Sequence, residues 1–120
     1  MNRAPFKELW WIGRAEKELA ELPRSVKETM WSVLYLAQHR GTSMQSKRMH
    51  GDLRDVMEIA VRDRTGAYRG LYSIGKGRVY ALYFFKKKSK RGIATPKEQI
   101  AVIRARVATA RRLENEAHRR

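Results

Sequence analysis

Apolar and polar positions along this chain recur with two periods. In Leu53 to Arg62, Met57, Ile59 and Val61 alternate with Val56, Glu58, Ala60 and Arg62. That two-residue period predicts a strand with one apolar face and one mixed face. Tyr68 to Ile74 and Arg78 to Phe85 are rich in β-branched and aromatic residues and read as two more strands. Asp63 to Ala67 is a turn between the first two, and Gly75-Lys76-Gly77 is a tight turn between the last two. Three successive strands with short turns predict an antiparallel meander. Upstream, Phe6 to Ile12 is a shorter apolar-aromatic strand in which the adjacent Trp10 and Trp11 face opposite sides.

Elsewhere the period is helical. Ala15, Leu19 and Leu22 share a face at spacings of four and three, and Pro23 interrupts that helix. Ser25 is then the expected cap of a second helix, with Glu28 completing a capping box. Val26, Met30, Val33, Leu34 and Ala37 form its stripe and Gly41 ends it. Thr42 to Gly51 is polar and reads as loop. Thr95-Pro96 opens a last helix with Ile100, Ile103, Val107 and Ala110 on its buried side, and residues 114–120 read as a frayed tail. The order predicts one α+β domain over residues 1–120. Its sheet is antiparallel or mixed, of about four strands, with an N-terminal helical hairpin on one face and a C-terminal helix, all helices sharing that face.

Charge sharpens this picture. The 120 residues carry 27 Lys and Arg against 12 Asp and Glu, a net +15. Residues 1–38 are close to balanced, whereas residues 86–120 hold twelve cations against three acids. Five of the six residues from Lys86 to Arg91 are cationic, a run expected just beyond the last strand, where an anion would relieve its repulsion. With no cysteine, disulfides and thiolate metal sites are excluded. His39, His50 and His118 are not at metal-ligand spacing, and no cofactor or metal is expected. No apolar run approaches a membrane span, and MNRAPFKELWW lacks the apolar core of a signal peptide, so a cytoplasmic protein without membrane association is expected.

A sheet face bearing arginines, interleaved with tyrosines and flanked by lysines, suits single-stranded RNA, whose phosphates pair with cations and whose bases stack on rings. Tyr68, Tyr72 and Tyr80 are more simply sheet packing. Metal-free RNA cleavage needs a base for the 2′-hydroxyl, cations on the phosphorane and an acid for the 5′-oxygen. Crowded ammonium groups lose a proton more readily, so the lysine run can supply the base. Arg69 is the candidate for the phosphorane, with Tyr83 or His50 to move a proton. Lys47, Arg48, His50, Arg54, Lys86, Lys90 and Arg91 are the candidate RNA-binding residues.

Four segments together resemble the RelE/ParE toxin superfamily, most closely its phage-derived, HigB-like branch: AEKELAELP, GDLRDVMEI, GAYRGLY and FKKKSKRGIATPKEQI. The last follows that branch's F-x-K-K-S-x-x-G-x-x-T-P pattern. This resemblance implies a RelE-like fold and a toxin that cuts mRNA in the aminoacyl site of the small (30S) ribosomal subunit. It also implies a partner antitoxin of helix-turn-helix type. Arg69 matches the arginine of the family's Tyr-Arg strand, and Lys87 and Lys88 match its lysine pair. Arg54 and Glu58 fall where the pattern reads L-x-E-x-R. Tyr83 stands where the family often has a histidine. Inhibition of DNA gyrase by a ParE-like protein, and a non-catalytic basic RNA-binding phage remnant, are the alternative readings.

Overall fold

The computed structural model describes residues 6–88 and 97–119. Strands β1 (Glu8–Trp11), β2 (Ser46–Arg48), β3 (Val56–Asp63), β4 (Gly66–Ile74) and β5 (Arg78–Lys87) form one sheet in the order β1-β5-β4-β3-β2. β1 runs parallel to β5, and the other neighbours are antiparallel. The predicted meander is thus the centre of the sheet.

β2 lies inside the segment expected to be loop. It is short, polar and at the sheet edge, so it carries no apolar alternation to read. Its pairing puts Lys47 opposite Glu58 and Arg48 opposite Met57.

Helices α1 (Ala15–Ala20) and α2 (Arg24–Gln38) cover one face. The α2 stripe Val26, Met30, Val33, Leu34 and Ala37 is buried against Met57, Ile59, Tyr68, Tyr72, Val79, Ala81 and Phe84. Gly70 makes this close approach possible. A Cβ there would lie 2.8 Å from both the Met30 sulfur and the Phe84 ring. Pro23 occupies the cap position of α2 with φ −56°. The expected Ser25 cap is therefore inside the helix: its carbonyl accepts the Thr29 hydroxyl, and Glu28 pairs with Arg24 at 3.1 Å.

The third helix, α3 (Lys97–His118), lies on the opposite face, not beside the hairpin as expected. Its Ile103, Val107 and Ala110 pack on Leu53, Val56, Leu71, Tyr80 and Leu82. That second set of apolar residues requires its own cover, which a helix pair on one side cannot supply. Nor does α3 fray after Leu113. Glu114 accepts hydrogen bonds from the Lys76 N–H at 2.8 Å and the Tyr80 hydroxyl at 2.7 Å, and the helix runs to His118. Thr95 and Pro96 lie outside the described residues.

Candidate nucleic-acid interface

α3 covers only one end of its sheet face. Towards the β3–β4 turn, that face is open. Strand register arranges its side chains in three cross-strand rows. Arg62, Ala67 and Lys87 form the outermost row, Ala60, Arg69 and Phe85 the middle one, and Glu58, Leu71 and Tyr83 the row nearest α3. Lys47 extends the last row across β2.

A bulge in β5 brings Tyr83, Phe85 and Lys87 to this side. Leu71 pairs with Tyr83 but Tyr72 pairs with Ala81, so Leu82 is an extra residue. Leu82 and Tyr83 both fall in the α3-side cluster, while Phe84 turns to α2.

Arg69 is half-buried and its Nε lies 3.2 Å from Glu58 Oε2, the two side chains being 20% and 26% exposed. The pair fixes the guanidinium while leaving part of it open to an anion. Tyr83 stacks on Phe85 with centroids 4.7 Å apart. The Arg106 guanidinium also lies over the Tyr83 ring, at 4.9 Å. Arg106 is itself anchored, donating to Glu18 Oε1 at 2.8 Å and to the Leu82 carbonyl at 3.0 Å. A cleft of about 380 Å³ opens beside the outermost row, lined by Arg62, Thr65, Gly66, Ala67, Lys86, Lys87 and Lys88.

The structure brings together Arg69, Tyr83, Lys87 and, at the margin, Lys47 and Lys88. Lys86 and Lys87 lie within β5, opposite Tyr68 and Ala67, where the sequence places them beyond the strand. Lys86 leaves β5 on the other side but runs along Gly66 at the rim of the cleft, its ammonium 5.9 Å from the Tyr68 ring centroid. Three expected contributors do not converge. Arg48 shares the register position of Met57, on the α2 side. His50 and Arg54 flank the 3₁₀ turn Gly51–Leu53 that precedes β3. From the start of β3 to Ala60, opposite Arg69, is about 13 Å at strand rise, so neither reaches the middle row. Arg54 is therefore not on the sheet face with Glu58. Lys90 and Arg91 lie outside the described residues. Tyr68, Tyr72 and Tyr80 are buried, as packing residues are. Burial disfavours the Tyr72 phenolate and raises its pKa, outweighing a hydrogen bond with Ser46 that acts the other way.

Sequence reading puts Arg62 on the mixed face without naming it a site residue, and misses Phe85 and Arg106 as members of this face. Phe85 is two residues from Tyr83 and two from Lys87, so strand parity alone groups the three. Arg62 is signalled by its alternation with Glu58 and Ala60. Arg106 carries no such signal, since its carboxylate partner is 88 residues away in sequence. Among the described residues no three His, Asp or Glu side chains converge as a metal site requires, and no helix is long and apolar enough to cross a membrane.

The model of the phage-derived Gp49-like protein family matches residues 17–108. Among curated proteins, no sequence matches. Solved structures that share the fold include two toxins. One is a mutant of the Escherichia coli toxin RelE in the free state, at TM-score 0.56 and 17% identity over 86% of this chain and 99% of that one. The other belongs to the toxin–antitoxin complex RelBE2 from Mycobacterium tuberculosis, at TM-score 0.50 and 18% identity over 74% of this chain and 100% of that one.

Proposed function

The chain belongs to the phage-derived Gp49-like family of RelE-like toxins, and from that premise we propose that it is a metal-independent endoribonuclease of HigB-like type that cleaves mRNA on the ribosome and halts translation. The observation that carries this reading is Arg69, held by Glu58 on the open sheet face, with Lys87 on the adjacent strand of the same face.

The chemistry follows from that arrangement. Glu58 takes the proton of a ribose 2′-hydroxyl, whose oxygen attacks the neighbouring phosphorus. Arg69 and Lys87 hold the negative charge that develops on the phosphorane oxygens. The bond to the 5′-oxygen breaks, and Tyr83, across Leu71 from Glu58 in the same row, gives that oxygen a proton. The products are a 2′,3′-cyclic phosphate and a 5′-hydroxyl. A carboxylate replaces the lysine as the base because it is the acidic side chain adjacent to Arg69.

The protein acts in the cytoplasm, at the aminoacyl site of the small ribosomal subunit, and a cognate helix-turn-helix antitoxin restrains it. Free RNA is a poor substrate, because the face holds few proton-moving groups and leaves the bending of the strand to the ribosome. Primer extension on mRNA from translating ribosomes tests the reading. Cleavage is expected with the unaltered chain and a loss of at least about a hundredfold in Arg69→Ala and Lys87→Ala. Intact mRNA with inhibited DNA supercoiling would replace this reading with a gyrase inhibitor.

A further inference from the structure

Some cations of this chain tie elements together, and many others carry no acid partner among the described residues. Those that tie elements together are paired with acids: Arg104 with Asp52, Arg106 with Glu18, Arg111 with Asp55, and Arg69 with Glu58. Four of the unpaired ones gather beside the β3–β4 turn. Among the described residues no carboxylate pairs with Arg62, Lys86, Lys87 or Lys88, yet all four line one cleft. Even the nearby Asp63 is turned inward to its own loop, accepting from the Thr65 N–H at 2.8 Å and the Thr65 hydroxyl at 2.6 Å.

The floor of this cleft is small. Ala67 sits between Arg62 on β3 and Lys87 on β5 in one cross-strand row, so two long cations rise on either side of a methyl group. Gly66 beside it leaves room for the Lys86 chain, which lies 2.8 Å from where a Cβ would stand. The row is two residues along the strands from Arg69, or about 6.7 Å at strand rise. That distance matches one phosphate-to-phosphate step of an extended single strand.

We propose that the cleft beside Arg62 is a second phosphate site, which binds the phosphodiester one nucleotide away from the one held at Arg69 on a single-stranded RNA, with Lys87 standing between the two phosphates. The inference rests on the reading of the open face as an RNA site and adds the direction of the strand's path, outward from Arg69 towards the β3–β4 turn. Arg62 thereby becomes a binding residue whose loss weakens association without touching the reacting atoms.

The test uses the full chain and a labelled, fully 2′-O-methylated RNA hexanucleotide, which cannot be cleaved. Binding is followed by fluorescence anisotropy across a salt series, with Arg62→Glu and Lys86→Glu compared with Arg24→Glu on α2. The last makes the same change in net charge on the opposite face. Arg62→Glu is expected to weaken binding about tenfold and to lower the salt slope by about 0.7, the share of a single phosphate in single-strand binding. Lys86→Glu is expected to follow it, and Arg24→Glu to leave the slope unchanged. Equal effects from Arg62→Glu and Arg24→Glu, or no binding by the unaltered chain, would overturn the site. Absence of ribosomal cleavage with this binding pattern intact would instead remove the nuclease reading and leave the phosphate site standing.

Discussion

Arg106 leaves α3 beside its buried stripe and ends between Glu18 of α1, the Leu82 carbonyl and the face of Tyr83. One guanidinium therefore joins a helix on each side of the sheet and also fixes an aromatic ring of the open face. The pair is only 15% and 19% exposed, so solvent screens it weakly. Among the described residues Arg106→Ala leaves Glu18 with only the Phe84 N–H as a donor, and it is expected to cost about 2 kcal/mol, read from urea unfolding. Arg106→Lys restores the charge but not the planar contact with Tyr83, so stability should recover more than cleavage. Gly70 sets a second limit at this scale. Its Cβ would meet Phe84, a buried ring with little room to turn, and Gly70→Ala is expected to cost about 1–3 kcal/mol in the same measurement.

Among the elements, α3 departs furthest from what its sequence suggests. Its apolar stripe is legible, because Ile103, Val107 and Ala110 keep helical spacing. Its last turn is not, because Glu114 has its partners, Lys76 and Tyr80, far away along the chain. Burial works against ionisation of Glu114, but those two hydrogen bonds and the charges of His118 and Arg78 outweigh it and hold its pKa below the usual value. Hydrogen bonds from Arg111 likewise depress Asp55 despite its partial burial. A carboxyl with a lowered folded-state pKa stabilises fully above its unfolded pKa, about 4, and loses that contribution as pH falls through the folded value. Acidification below about pH 4 should therefore loosen α3, and Glu114→Gln should flatten that limb of a Tm-against-pH curve. Distant partners hide β2 as well. β3, β4 and β5 announce themselves by alternation, whereas β2 is three polar residues whose strand character comes entirely from pairing with β3. The open face was half legible: the Tyr-Arg strand and the lysine run pointed to Arg69 and Lys87, but nothing local separates Lys87 from Arg48 or His50, which the fold sends elsewhere.

Over the whole molecule, +15 net charge works against compactness. The exposed pairs Arg104–Asp52 and Arg111–Asp55 oppose this only weakly, because solvent screens them. Added salt weakens both effects, but the repulsion involves far more charges. Tm should therefore rise between low and moderate sodium chloride, and a fall would mean that the α3 seam outweighs the net charge. The single extra residue at Leu82 has a longer reach than any of these charges. Upstream of it the even-numbered side chains of β5 look towards α3, and downstream the odd-numbered ones do. Drawing Leu82 into a regular ladder would slide every later pairing by one residue, turn Phe85 and Lys87 towards Met30 and bring Phe84 to the surface. Deleting Leu82 would instead leave Tyr83 opposite Leu71 and the later residues on their present sides. The facing of the whole strand end thus hangs on one residue standing out of the ladder.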